Sequence, residues 1–348
     1  MRKIKIAIIH SKYNEPLPHE WMGGEGFSFE TAMSYVSSNL DKTMGFIHKA
    51  GQSRADIVCT GECFLNSGIY ARDDGYPGMF AEIVSKSSAA AKEKMSEAAK
   101  KYSMYIATNT YEYAGDDIYN MSTLYGRNGE IAGQYKKVHL ADGERATLIK
   151  PGDEFNIIKT DIGNIGFFTC YDVIFPEACR LLALNGADIV IHQTQGWGSG
   201  GKSFCDSAVG EAYMRVRAAE NSVYLIVAKC IMGGALDGGR SMVVDNSGLI
   251  IAESETAEEA LLEVEIEPDY DILDKYNYDN VFAGVESTKA RQLIPRRPDL
   301  YRELINEAPF IISTRYKDMK LINEPTEMKK VIDDLNKIDT EERSKYHW

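Results

Sequence analysis

The chain has 348 residues, 44% of them hydrophobic, and a formal net charge of −13. That length suits one large α/β unit with a tail as well as it suits two domains. The acidic balance argues against a nucleic-acid partner, which would need a basic face. No apolar run approaches the roughly 18 residues needed to span a membrane as a helix.

The first apolar run, Ile6 to Ile9 in "KIKIAIIH", turns polar at once and reads as a strand rather than a signal peptide. "ADIVCTGE", "MYIATNTYEY", "GNIGFFTC", "ADIVIHQT" and "SVYLIVAKC" are further strand-length runs rich in Ile and Val. Between them, residues 27–51, 78–101, 176–185 and 203–221 read as helices. Two hairpins interrupt the alternation, turning at Asn128-Gly129 and around Asn246-Ser247-Gly248. This order predicts helices packed outside a mixed sheet. After "LLEVEIEPDYD" the pattern ends. Residues 1–274 are therefore expected to form the domain, and 275–348 a C-terminal extension whose apolar groups, "LYRELI" and "PFIIST", need a surface to cover on this subunit or a neighbour. Six cysteines, at 59, 63, 170, 179, 205 and 230, are too few for a disulfide scaffold, which points to a reducing cytoplasm.

Three positions carry chemistry. Cys170 ends a strand just before a Pro-Glu pair that opens a helix. Such an elbow exposes a side chain at its tip, which suits a nucleophile attacking a carbonyl or nitrile carbon. The same residue type also serves as an inert packed thiol. A thiol nucleophile needs a group to take its proton. His10, His139 and His192 stand at strand ends, but no Asp or Asn partner is evident for any of them. Glu62 is the other candidate, an acid at the end of "ADIVCTGE". Lys136 and Lys137 point to opposite faces of one strand, so one should be solvated and the other inward. An inward lysine needs carboxylate company and can stabilise a tetrahedral intermediate. Cys59 and Cys63 have metal-ligand spacing but straddle Glu62 on a strand, so packed thiols and no metal are expected.

"TGECFL", "YKKVHL" with "GERATLIKPGDEF", and "TCYDVIFPEACRLLALNGADIV" occur in this order. They resemble the three signature blocks of the nitrilase superfamily of carbon–nitrogen hydrolases, and "RVRAAENSVYLIVAKC" and "GRSMVVDNSGLIIAE" resemble its later strands. The likeness covers roughly residues 3–268. It implies a four-layer αββα sandwich, a Glu-Lys-Cys triad and a homodimer or larger homo-oligomer, with no cofactor. Carried over, Glu62 is the general base, Cys170 the nucleophile, and Lys137 with the backbone N–H of Tyr171 the oxyanion holder. Glu144 matches the second glutamate that positions substrate and lysine. The family usually has proline before its acid, where this chain has Gly61.

Tyr171-Asp172 after the cysteine is similar to the amidase and carbamoyl-hydrolase branches, since nitrilases usually have Trp-Glu there. Val173 and Ile174 replace the arginines that hold a substrate carboxylate in carbamoyl-amino-acid hydrolases, although Arg215 or Arg217 could substitute. The expected activity is hydrolysis of a small linear amide or N-carbamoyl compound, with a nitrilase as the alternative. Gln195 and Trp197 lie in the loop expected to line the substrate pocket. The same loop, residues 196–203, formally fits a phosphate-binding pattern, which leaves a nucleotide-binding protein as an alternative of another class.

Overall fold

The computed structural model describes residues 3–12, 28–66, 69, 77–141, 144, 148–195, 207–231, 240–254, 258–267 and 288–306. The apolar runs form the strands: β1 (Ile4–Lys12), β2 (Ile57–Cys59), β3 (Tyr105–Ala114), β7 (Gly163–Thr169), β8 (Ile189–Thr194) and β9 (Tyr224–Ile231). Between and after them lie β4 (Asp117–Tyr125), β5 (Ile131–Lys136), β6 (Ile157–Thr160), β10 (Met242–Val244), β11 (Ile250–Glu253) and β12 (Ala260–Ile266). The helices are α1 (Phe29–Gln52), α2 (Pro77–Tyr102), α3 (Pro176–Leu184), α4 (Ser207–Asn221) and α5 (Thr288–Leu293). Ser28 caps α1 by accepting the Thr31 N–H at 3.1 Å, and Pro176 opens α3, where a missing N–H costs nothing.

β12, β1, β2, β3, β4 and β5 pair side by side, as do β6, β7, β8, β9, β10 and β11. Two register pairs, Ser11 with Cys230 and Lys12 with Ile231, sew the two halves together where β1 meets β9. Strand alternation then builds three apolar layers. Ala7, Ile9, Val58 and Ile106 face α1 and α2. Ile6, Ile8, Ile57, Phe167, Ile191 and Ile226 meet between the two halves. Phe168, Val190 and Leu225 face Leu182 of α3 and Met214 of α4. A helix layer outside each sheet and apolar side chains between the sheets make the αββα sandwich. Each fully buried Ile or Phe contributes roughly 1.5–3 kcal/mol to holding it.

β1, β2 and β3 run parallel to one another, as do β7, β8 and β9, and β5 follows the direction of β3 through two antiparallel turns. Within each half, the strands that carry candidate residues therefore end at one edge, where ligands bind in α/β sheets. The expected turn at Asn128-Gly129 is present, with Gly129 at φ +85°. Of the extension, α5 and two short 3-10 turns are described, and Lys289 of α5 donates from Nζ to the Ala187 carbonyl beyond α3. "PFIIST" lies outside the described residues.

Candidate active site

β2 stops at Cys59, and Glu62 lies on the turn that follows, only 3% exposed. Cys63 next to it takes φ +48°, a left-handed conformation that costs a non-glycine residue about 1–2 kcal/mol. The Cys63 N–H is held by Asn109 Oδ1 at 2.9 Å. Gly61 is needed here: a Cβ on it would lie 2.3 Å from Cys230 Sγ and 2.6 Å from the Cys230 backbone N. The departure from the family's proline thus has a cause in the end of β9.

Lys137 follows β5 and is 1% exposed, while Lys136 lies over the Tyr119 ring at 4.2 Å and remains partly exposed. The alternation expected from the strand is therefore present. Lys137 Nζ donates to Glu62 Oε1 at 2.8 Å and to Glu144 Oε2 at 2.7 Å. Burial pulls the Lys137 ammonium pKa down, but Glu144 and then Glu62 outweigh it and leave it well above its ordinary value. Asn120 of β4 donates to Glu62 Oε1 at 2.9 Å and to Glu144 Oε1 at 2.7 Å. Glu62 Oε2 accepts the backbone N–H of Gln195 at 3.0 Å, and Glu144 Oε2 accepts that of Ala141 at 2.9 Å.

Cys170 comes from the other half, at the end of β7. It opens a 3-10 turn over Cys170–Ile174 and takes φ +47°, so the elbow is a strained one. Of the described cysteines, Cys59, Cys63, Cys179 and Cys230 are buried and Cys170 alone is partly exposed. Burial around the sulfur pushes its thiol pKa up. Glu62 pushes it further, Lys137 pulls it back, and a hydrogen bond from Thr194 lowers it again. The net shift is upward from the ordinary thiol value, so this sulfur would need a base in order to act as a nucleophile. Tyr171 is the second residue of the turn, with its ring edge-on to Phe175 at 5.5 Å.

Asp172 anchors the turn from within. It accepts the Thr169 N–H at 2.8 Å, the Tyr135 hydroxyl at 2.7 Å and the His139 N–H at 2.9 Å. Tyr135 and His139 flank Lys137, so one carboxylate ties the cysteine turn to the lysine strand. Arg217 holds the far end of the turn, donating to the carbonyls of Val173 and Ile174 at 3.2 Å each. This corrects its expected availability for a substrate carboxylate. Arg215 is likewise engaged, with the Gly248 carbonyl and Glu211.

The structure thus joins Glu62, Lys137 and Glu144 directly and sets Cys170 within their electrostatic reach. Gln195 enters through its backbone. Trp197 and the 196–203 loop lie outside the described residues. The histidines go elsewhere: His139 to Asp172 at 2.7 Å, His10 to Ser241 at 3.0 Å, and His192 against Phe168. Cys59 packs between the sheets and Cys63 against the helices, so they face different layers. Asn120, Thr194 and Asp172 escaped the sequence reading as site residues. Their one signal was a polar residue within or just after a buried strand.

The carbon–nitrogen hydrolase family model matches residues 32–272. The chain belongs to the carbon–nitrogen hydrolase family. It is an enzyme of that class, a carbon–nitrogen hydrolase. Its curated relatives include an omega-amidase, NIT2, of Homo sapiens, 28% identical over 246 residues that make up 67% of this chain and 84% of that protein. A probable nitrilase of Schizosaccharomyces pombe is 28% identical over 278 residues, 78% of this chain and 94% of that one. Among solved structures, an amidase from Nesterenkonia sp. aligns at TM-score 0.64 and 21% identity over 86% of this chain and 99% of its own. That structure is of a mutant of the amidase, and it shows the result of Michael addition of acrylamide at the active-site cysteine. A carbon–nitrogen hydrolase from Helicobacter pylori aligns at TM-score 0.64 and 23% identity over 87% and 98% of the two chains.

Proposed function

We propose that this carbon–nitrogen hydrolase is a thiol amidohydrolase acting on a small linear amide or N-carbamoyl compound. One observation carries the reading: a buried cluster of Glu62, Lys137 and Glu144 lies within electrostatic reach of Cys170, the one described cysteine that is not buried. The omega-amidase relative and the cysteine adduct of the Nesterenkonia amidase support the same bond and the same nucleophile.

Glu62 takes the thiol proton, and the sulfur attacks the carbonyl carbon. The carbonyl electron pair moves to oxygen, where Lys137 and the Tyr171 N–H stabilise it. As the tetrahedral species collapses, the nitrogen takes the proton from Glu62 and leaves as ammonia or an amine. Water then gives its proton to Glu62 and attacks the thioester. Collapse releases the acid, and the sulfur recovers its proton. Glu144 holds Lys137 in place throughout. Losing one oxyanion donor should lower kcat about 100- to 1000-fold.

Ammonia release should be screened across amides, ureido compounds and nitriles, with Cys170→Ala as the blank. Release from an amide or ureido compound, absent in the blank, is the expected result. Release from nitriles alone would replace this reading with a nitrilase, which the Schizosaccharomyces pombe relative keeps in view.

The same proposal takes 1–274 as the hydrolase domain and 275–348 as an extension, in keeping with a family match that stops at 272. It also takes the chain as a cytoplasmic homo-oligomer without a cofactor. Leu181 and Leu184 of α3, Val209 and Val216 of α4, and Leu249 and Ile251 beside them are exposed apolar groups that support a subunit contact. Among the described residues, no helix is long and apolar enough to cross a membrane.

A further inference from the structure

The cluster sets two carboxylates, Glu62 and Glu144, against one ammonium, Lys137. Two buried carboxylates on one cation repel each other, and a close carboxylate pair with too few donors takes up a proton. A shared proton would disable Glu62 as a base. Asn120 bears on this point. Its Nδ2 donates to Glu62 Oε1 and to Glu144 Oε1, at 2.9 and 2.7 Å. An amide nitrogen has two hydrogens, so each carboxylate receives one.

The amide cannot turn round. Asn120 Oδ1 accepts from Asn109 Nδ2 at 2.8 Å, and Asn109 is itself fixed by the Cys63 N–H at 2.9 Å and by Ser122 Oγ at 3.1 Å. An ionised carboxylate only accepts, so a reversed Asn120 would set a third acceptor against two others. Both asparagines are completely buried, in the interiors of β3 and β4. Polar groups there destabilise a sheet unless every one is paired, and these two make pairs that end on the catalytic carboxylates.

We propose that Asn120 is a positioning residue that keeps Glu62 and Glu144 both ionised on a single lysine, and so sets the acid limit below which Cys170 stops reacting. The inference rests on Glu62 acting as the base for Cys170. A neutral donor is the right chemistry for the task. A second cation would cancel the extra negative charge that makes Glu62 basic. An apolar residue would let the two acids share a proton.

The other titratable groups near Glu62 are Lys137, Cys63, Cys170 and His192. Asp172 lies beside them, held by Tyr135 and His139. Burial drives the His192 pKa down to about 4 and raises that of Cys63 well above the ordinary thiol value. Neither changes charge between pH 5 and 8.

The test is alkylation of Cys170 by iodoacetamide in the intact chain between pH 4 and 9, read from the Cys170 peptide by mass spectrometry. Wild type, Asn120→Ala, Asn120→Ser and Glu62→Gln are compared, each checked by thermal melting. A hydrogen bond to a charged acceptor corresponds to roughly one pH unit. The acid limb should therefore rise by about one unit in Asn120→Ala, by less in Asn120→Ser, whose hydroxyl keeps one donor, and vanish in Glu62→Gln. A wild-type midpoint in a folded Asn120 variant overturns the proposal, as does a limb that persists in Glu62→Gln. Should Asn120→Ala not fold, Asn120→Ser decides alone. The readout needs no substrate. A shifted limb in a protein that hydrolyses no amide keeps this inference and removes the amidase reading, while ammonia release with an unmoved limb does the reverse.

Discussion

Lys137 lies almost wholly out of water and depends on Glu62 and Glu144 for its charge. Removing it leaves two buried carboxylates facing each other, so Lys137→Met should lose roughly 3–5 kcal/mol of stability in urea titration, as broken buried pairs do. Because its folded pKa is raised, the stabilisation is fully present below the ordinary lysine pKa and is lost only in strong alkali. His192 has the opposite sign. Burial, opposed by its bond to the Phe168 carbonyl, lowers it from 6.5 to about 4. The unfolded chain then binds the extra proton between those values, so stability falls as pH drops through that window. Its full extent is about 3 kcal/mol. Denaturant midpoints measured from pH 7 down to 4 should fall less steeply in His192→Phe, and an unchanged slope would count against the buried neutral imidazole. At this scale Glu62, Lys137, Glu144 and Cys170 were legible as candidates because the blocks around them come in a fixed order. Asn120 was not, because it reads as an ordinary strand residue and its partner Glu62 is 58 positions away.

Among the elements, the turns matter more than the strands. Helix boundaries read from composition fall within a few residues of α1 to α4, since apolar periodicity and caps are local signals. Hairpin β3–β4, turning at Gly115, was missed: "AGDD" lacks the Asn-Gly or Asp-Gly pair that marks a tight turn. The Gly61 contact was illegible for another reason, since β9 lies far away in the chain. It makes a sharp prediction. Gly61→Ala should destabilise by about 1–3 kcal/mol, an overpacking penalty, and slow Cys170 alkylation by displacing Glu62. Adding Cys230→Ala should restore only part of the loss in thermal melts, because the Cys230 backbone N stands 2.6 Å from the new Cβ as well. Full recovery would show that the sulfur alone is in the way.

For the whole molecule, the exposed apolar groups of α3, α4 and β11 set the prediction. Leu181→Asp combined with Val216→Asp should shift the particle to a lower mass by light scattering while leaving the isolated subunit folded. Wild type running as a monomer at micromolar concentration would end the subunit-contact proposal. The extension adds its own apolar surface: Leu300, Leu304 and Ile305 are 66%, 63% and 84% exposed on this chain. The sequence had already required a cover for "LYRELI", and composition alone could not say which surface supplies it.

The seam of two register pairs between β1 and β9 has a mechanical meaning. Glu62 and Lys137 ride on one sheet and Cys170 on the other, so sliding one slab past its neighbour alters the spacing of the groups proposed to react. Trimming methyl groups midway between the slabs, as in Ile191→Val, should blunt turnover before it lowers the melting point, which makes the catalyst a gauge of how firmly its two halves are registered.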